Sequence, residues 1–435
     1  MANYWITVAV LTALALLTVG CGLFSENVRE EEIAIPPTQT EPDLDLGLGP
    51  GARPLSFGPG DKGSPRISPS GEKVAFVLDG YVVEKYLHTQ DLRSRTAASD
   101  FDALSTEWLS DESLAILGPE DETRDGSVKA ATVPSSLLVA YKEGSSSDGS
   151  SNVRRLPERV DAAGAAPGSQ LVATAVSASP TTAESLEEPS SSRLMLLWGS
   201  GEPVKVYLGG IDGLVTGLSV SPDGRGVALA VRSGDDDDED RRKGRFEVQV
   251  YRFSEGRARR VASVPEGIEI LGAPQWTQGG IYFVAGEVDD PATRGEEPAP
   301  YFLYRVPEGS EPENSNTPEP VRSVGEGFIA ASINVSPDGN RLAVVGRRNP
   351  GSPTNLYILD LASDALEAAT TNENMEIKTN PRDLAWSPDG QSVVLVVRSA
   401  LSGPEVYDAP AETLASAFYN LYEVPVGNDS TGGGG

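Results

Sequence analysis

The stretch LSVSPDGRGVALAV, residues 218–231, recurs as INVSPDGNRLAVVG at 333–346 and again as LAWSPDGQSVVLVV at 384–397. Each copy reads as strand, turn, strand. In the first, Leu218 to Val220 extend into the Ser221-Pro222-Asp223-Gly224 corner, and Val227 to Val231 run back. Proline presets φ at the first corner position, aspartate bonds back to the local backbone, and glycine takes the left-handed conformation that returns the chain. A chain that repeats this unit is committed to hairpins.

Ser68-Pro69-Ser70-Gly71 is a fourth copy, so the corners begin at 68, 221, 336 and 387. The gaps are close to three, two and one units of a period a little above about 50 residues, which predicts further copies near positions 119, 170 and 278. Trp108-Leu109-Ser110-Asp111-Glu112-Ser113 before Leu114 to Leu117 is one degraded copy. Ala166-Pro167-Gly168 before Leu171 to Ala173, and Trp276-Thr277-Gln278-Gly279-Gly280 before Ile281 to Val284, are the others. Third strands follow at Asn355 to Leu361, Tyr301 to Val306 and Asn420 to Val424, with weaker fourth strands such as Pro203 to Tyr207 and Arg259 to Val264. Four strands per unit of about 50 residues is the blade of a β-propeller. The expected fold is all-β, a single propeller over residues 52–426 of seven four-stranded blades, six being the alternative. The seventh unit lacks a fourth strand of its own, and Ala52 to Gly58, ahead of the first corner, is expected to supply it and close the ring.

These Ser-Pro-Asp-Gly hairpins with following Leu-Tyr strands resemble the TolB-type, WD-like propeller repeats of bacterial envelope proteins. The resemblance implies a fold more than a task. TolB carries an α/β domain ahead of its propeller, and the short segment here has no room for one, so the resemblance does not imply a Tol-system role.

The single cysteine, Cys21, excludes an intrachain disulfide and a cysteine-built metal site. It closes the apolar run 4–21, and Thr18-Val19-Gly20-Cys21 resembles a lipobox, with Cys21 at the lipid-attachment position. Residues 1–20 are therefore read as a lipoprotein-type signal peptide, or else as an uncleaved membrane anchor, and either places the rest outside the cytoplasmic membrane. Residues 21–51, rich in acids, Pro and Gly, are read as a disordered tether with a root-mean-square reach on the order of 30 Å. Residues 427–435 read as a flexible tail.

Asp and Glu number 64 against 35 Lys and Arg, a formal charge of -29 that repels nucleic acid and anionic headgroups. Chemistry is hard to find. His88, the only histidine, is expected inside a third strand, at the place Tyr357 holds in its repeat, and no Gly-x-Ser-x-Gly elbow accompanies it and Asp91. One histidine cannot build a histidine metal cluster, and no Gly-Lys-Ser or Gly-Lys-Thr phosphate loop is present. The run Asp235 to Asp240 followed by Arg241 to Arg245 lacks the spaced ligands of a calcium loop and reads as a solvated surface loop between second and third strands. Trp108, Trp276 and Trp386 occupy one repeat position and read as packing between blades, while Asp223, Asp338 and Asp389 read as turn residues. The inserts 144–152, 177–192, 287–300 and 308–320 read as surface loops.

The expectation is thus a non-catalytic, monomeric, membrane-anchored scaffold for an envelope or extracellular protein partner. It needs no cofactor and no metal, binds no nucleic acid, and has Cys21 as its one site residue. A small-molecule- or cation-binding propeller, or a hydrolase-accessory one, is the alternative.

Overall fold

A computed structural model describes residues 26–28, 48–49, 51–56, 60–87, 92–95, 103–119, 135–142, 151–165, 170–177, 191–198, 204–233, 245–287, 301–307, 319–320, 328–372, 375–399 and 418–426. Every regular element among them is a strand. None is a helix long and apolar enough to cross a membrane.

Strands β1 (Glu26–Val28) and β2 (Arg53–Pro54) come first, then a four-stranded antiparallel sheet of β3 (Lys62–Ile67), β4 (Lys73–Leu78), β5 (Tyr81–Tyr86) and β6 (Leu92–Arg95). The next sheet holds β7 (Ser105–Ser110), β8 (Ser113–Pro119), β9 (Ser135–Lys142), β10 (Ser151–Ala165), β11 (Leu171–Ser177), β12 (Ser191–Trp198) and β13 (Val204–Asp212), with β1 added to β10. Three four-stranded meanders follow. They are β14 (Leu214–Val220) to β15 (Gly226–Ser233), β16 (Arg245–Arg252) and β17 (Arg257–Ser263); β18 (Ile268–Thr277) to β19 (Gly280–Glu287), β20 (Tyr301–Pro307) and β21 (Glu319–Pro320); and β22 (Ile329–Val335) to β23 (Arg341–Arg347), β24 (Asn355–Asp360) and β25 (Ala365–Ala368). The last sheet combines β26 (Met375–Ile377), β27 (Leu384–Trp386), β28 (Ser392–Ser399) and β29 (Asn420–Pro425) with β2. Meandering sheets arranged around an axis, first strand innermost, make a single all-β propeller.

Burial explains the composition of each strand. A second strand is covered on both faces by neighbouring sheets, so β15 reads Val-Ala-Leu-Ala-Val over 227–231, every residue fully buried. The outer strand β17, Arg257–Ser263, is instead mostly exposed or half-buried, with Ala262 buried, and is rich in arginine. The core is distributed between sheets. Ala343, Val345 and Leu356 of one sheet, for example, pack with Leu384, Trp386, Val393 and Leu395 of the next. Each fully buried Val or Leu contributes roughly 1.5–3 kcal/mol, so this inter-sheet packing is what holds the ring.

Closure follows the sequence order. Arg53 pairs with Glu423 and Pro54 with Tyr422, the Leu55 amide donates to the Leu421 carbonyl (2.8 Å), and Arg53 and Glu423 form an ion pair (2.6 Å). The chain's start thus covers the edge left by its end.

The eight-stranded sheet was not expected. Strand β10 is 15 residues long; Ser151 to Arg155, Arg159 and Val160 pair with β9, and Val160 to Ala165 with β11. The register with β9 breaks between Arg155 and Arg159, an interval that contains Pro157. Proline has no N–H for the ladder, so the pairing with β9 is interrupted there and resumes at Arg159.

Other expectations shift. The third strand of the first sheet is Tyr81–Tyr86. It begins directly after the Asp79-Gly80 turn, both residues at positive φ, which is the two-residue hairpin chemistry. Strand β5 therefore ends before His88, and His88 itself lies outside the described residues, as do Cys21 and Asp91. The inserts are shorter than expected: Ser151 and Asn152 start β10, Ser177 ends β11, Ser191 and Ser192 start β12, and Glu319–Pro320 is β21. Within the segment 21–51, Glu26–Val28 pairs with Ser151 to Val153, and Leu48 is 3% exposed in the core of the last sheet.

Candidate functional site

The corners form one end of the ring. Gly71, Gly224, Gly339 and Gly390 all have φ between 67° and 77°, the left-handed conformation their position in the corner requires. Within each Ser-Pro-Asp-Gly corner the serine hydroxyl donates to the aspartate: Ser221 to Asp223 (2.6 Å), Ser336 to Asp338 (2.5 Å) and Ser387 to Asp389 (2.6 Å). The same carboxylates accept the amides of Arg225 (3.1 Å), Asn340 (3.1 Å) and Gln391 (2.9 Å). The Ser387 hydroxyl and the Gln391 amide hold Asp389 below the usual carboxylate range. At Asp223 and Asp338 partial burial works the other way, and the hydrogen bonds outweigh it. Neighbouring corners also touch: the Ser70 amide donates to Asp111 (2.9 Å), Gln278 to the Asp338 carbonyl (3.3 Å) and Arg341 to the Gly390 carbonyl (2.5 Å). The aspartates are spent on the turns, as their sequence position implied.

Behind the corners lies the central channel. Its inner cavity, about 290 Å3, is lined by the innermost strands. Arg66, Ser219, Gln275, Asn334 and Ala385, each just before the last apolar residue ahead of its corner, face it, as does Glu107, just before Trp108. The third repeat contributes Ala162 to Ala165 from the second half of β10. Here the inner strands lie so close that a Cβ on Gly164 would collide with the Leu218 carbonyl oxygen, and one on Gly217 with that of Gly272.

The last sheet departs from the pattern. Its innermost strand is split into β26 and β27, both paired to β28, and residues 378–383 between them oppose only Val396. The freed segment carries Lys378 and Asp383 and projects Asn380, Pro381 and Arg382 at the channel, and an Asx turn from Asn380 to the Arg382 amide (2.9 Å) sets its shape. A Cβ at Gly272 would lie 2.6 Å from Pro381 Cβ, so glycine there admits the segment.

These residues form a buried charge cluster. Arg66 Nε–H donates to Glu107 Oε1 (2.8 Å), and its Nη1 donates to the carbonyls of Pro65 (2.7 Å) and Arg382 (2.9 Å). Burial pushes the Glu107 carboxyl up, with Arg66 opposing. Asp383 accepts the Ser64 amide (2.5 Å) and pairs with Lys378 (3.3 Å). Burial, then the nearby Arg66 charge, lowers the Arg382 guanidinium. Protein encloses Arg382 on nearly all sides while part of its surface still faces the cavity, so it is the channel that solvates it.

A wider cavity of about 560 Å3 adjoins the first and shares Leu271, Asn380 and Pro381 with it. At its wall Tyr419 donates to Glu376 (2.5 Å), Arg398 pairs with Glu376 (2.6 Å), and Lys378 and Arg398 lie 5.2 and 4.7 Å from the Tyr419 ring centre. Burial and then the Glu376 hydrogen bond raise the Tyr419 phenol. Among the described residues no group of three or more His, Cys, Asp or Glu is placed to hold a metal ion.

Trp108 and Trp386 are 3% and 2% exposed, and each indole N–H donates to the carbonyl of the preceding sheet's inner strand, at Arg66 and Asn334 (both 2.9 Å). Trp276 is half-buried against the same kind of interface. The Asp235 to Arg245 run joins β15 to β16 as expected, and all of it but Arg245 lies outside the described residues. Sequence reasoning missed Arg66, Glu107 and Arg382. A charged residue at a repeat position that elsewhere holds Ser, Gln, Asn or Ala was the signal for the first two; Arg382 sits in a segment without a counterpart in the other repeats.

No family model matches the chain, and no curated protein does. Among solved structures it is similar to an oligogalacturonate lyase in complex with manganese, at 13% identity over 87% of this chain and 98% of that one, with a TM-score of 0.46. It is also similar to the oligogalacturonate lyase of Vibrio parahaemolyticus (12% identity, 87% and 94%, TM-score 0.49) and to TolB from Acinetobacter baumannii (16%, 84% and 79%, TM-score 0.39).

Proposed function

We propose that this chain is a non-catalytic interaction scaffold outside the cytoplasmic membrane, held there by a lipid on Cys21 or by an uncleaved N-terminal anchor, with an envelope or extracellular protein as its partner. We read the ring as seven-bladed, the eight-stranded sheet counting as two blades divided at Pro157.

The observation that carries the reading is strand direction. Because successive strands are antiparallel, every connection from a second to a third strand leaves from the end of the ring opposite the Ser-Pro-Asp-Gly corners. Five of these are long: residues 120–134, 178–190, 234–244, 288–300 and 400–419. Together they carry 20 Asp and Glu against 6 Lys and Arg. Acid-rich connections that leave from the end opposite the short corners suit a partner with a basic surface, attracted at range and released by salt.

The test is in-cell crosslinking of the full-length chain, comparing the native sequence with one in which Asp235 to Asp238 are replaced by Ser. Capture of one defined protein that falls at least several-fold in the variant supports the reading. Failure to capture any protein, together with turnover in a hydrolase panel, overturns it. Anchoring is read separately, by radiolabelled palmitate incorporation that a Cys21→Ser chain loses; a Cys21→Ser chain that stays in the membrane fraction points to the anchor.

A further inference from the structure

We infer that the inner channel cavity binds a small organic monocarboxylate, clasped by the Arg382 guanidinium.

Of the five charged groups in and beside this cavity, four are committed and one is not. Arg66 is fixed by Glu107 and by two backbone carbonyls, and Asp383 is held by Lys378 and the Ser64 amide. The Arg382 backbone is likewise fixed, its amide on Asn380 and its carbonyl on Arg66. Its guanidinium, among the described residues, has no hydrogen-bond or ion-pair partner, although it lines the cavity and is otherwise enclosed. A guanidinium withdrawn from bulk water without a partner is costly, and a planar carboxylate matches its two parallel N–H donors.

Charge selects the ligand. Arg66 and Glu107 offset each other, as do Lys378 and Asp383, which leaves one positive charge in a chain whose formal total is -29. One carboxylate cancels it. A doubly charged phosphate would face Glu107 with its second charge uncompensated. The rest of the lining suits a short organic body: Trp386 and Ile333 are apolar, and Gln275, Asn334 and Thr216 are neutral hydrogen-bonding groups. A volume of about 290 Å3 is at the small end of ligand sites, and the adjoining wider cavity provides the approach past Asn380 and Pro381.

The experiment is thermal unfolding of the full-length chain in sodium acetate, lactate, pyruvate, benzoate and glutamate, each against sodium chloride and sodium phosphate at matched ionic strength. At least one carboxylate is expected to raise the Tm by several degrees over both controls, with the shift lost in Arg382→Gln and kept in Arg398→Gln. In the unmutated chain the same carboxylate is expected to slow butanedione modification of Arg382 at least fivefold, read by peptide mass spectrometry, and to leave Arg398 unchanged; this covers an Arg382→Gln chain that does not fold. No shift with any carboxylate, an equal shift with phosphate, a shift that persists in Arg382→Gln, or no protection of Arg382 overturns the inference. None of these outcomes bears on partner capture at the opposite rim.

Discussion

The sheet β22–β25 and the eight-stranded sheet β7–β13 are written in the same repeat, yet one is a separate four-stranded meander and the other a double-length unit. The first turns on Ser336-Pro337-Asp338-Gly339 with every corner bond made. The second turns on Ser110-Asp111-Glu112, which has lost the proline and glycine, and its β10 runs straight on where other repeats have a fourth strand, a connection and a new first strand. The inter-sheet contacts do not decay in parallel. Trp108 and Trp386 make the same indole bond to the preceding sheet, and Gly164 and Gly217 make the same close backbone approach at the channel. Packing between blades, and not the corner motif, is what the ring retains when the repeat degrades.

Removing the shared contacts tests this most severely. Trp386→Ala and Trp108→Ala are each expected to cost roughly 3–5 kcal/mol in urea unfolding, equal within about 1 kcal/mol despite their different corners. Trp276→Ala, at a half-buried site, is expected to cost less. A clearly smaller loss for Trp108→Ala would mean that the degraded sheet is held by weaker packing, and the comparison fails.

Next in size are the channel glycines. Gly217→Ala and Gly164→Ala each force a Cβ against a carbonyl oxygen, so each is expected to lower stability by about 1–3 kcal/mol. Unequal losses would locate slack in one of the two regions.

The corners themselves should differ. Ser387 Oγ accepts the buried Ser392 amide (2.9 Å) as well as holding Asp389, and Ser387→Ala is expected to cost about 1–2 kcal/mol. Ser110 Oγ accepts only the Glu112 amide at 3.2 Å, and Ser110→Ala is expected to cost about 0.5 kcal/mol. Equal effects would show that the intact motif adds nothing over its degraded form.

The smallest effect is in acid. Asp389 is held below its ordinary value in the folded chain, so the unfolded chain, with a carboxyl near about 3.9, binds the proton first as pH falls. The stabilisation is complete above about pH 5 and is lost below pH 4. Asp389→Asn should therefore be slightly less stable than the native chain at pH 7 and converge with it as the pH falls through the lowered carboxyl's range. Gln278→Ala, at a corner with no carboxylate, should show no such convergence. A pH-independent difference for Asp389→Asn would mean that its role is steric.

Much of this architecture was legible in the chain because its signals are local. A Pro-Asp-Gly corner specifies its turn without help from distant residues, and a second strand that is apolar throughout announces two covered faces. The degraded corners were recoverable because the period survives where the motif does not. The third strand of the first sheet was misplaced because Asp79-Gly80 was not read as a two-residue hairpin, and β10 was not anticipated because no local signal marks one continuous 15-residue strand. The cavity was missed for another reason: repeat position shows which residue faces the channel only once the inner strands are known, so nothing singled out Arg66 and Glu107.

By itself the sequence determined the repeat, the all-β class, the role of the corner aspartates and the closing of the last sheet by the segment just ahead of the first corner, since these follow from turn chemistry and strand order. Only the tertiary structure decided that Arg66, Glu107 and Arg382 line one cavity. Arg66 and Arg382 are 316 positions apart and meet through the closure of the ring, and the cost of withdrawing their charges from water depends on that enclosure, which no local pattern encodes.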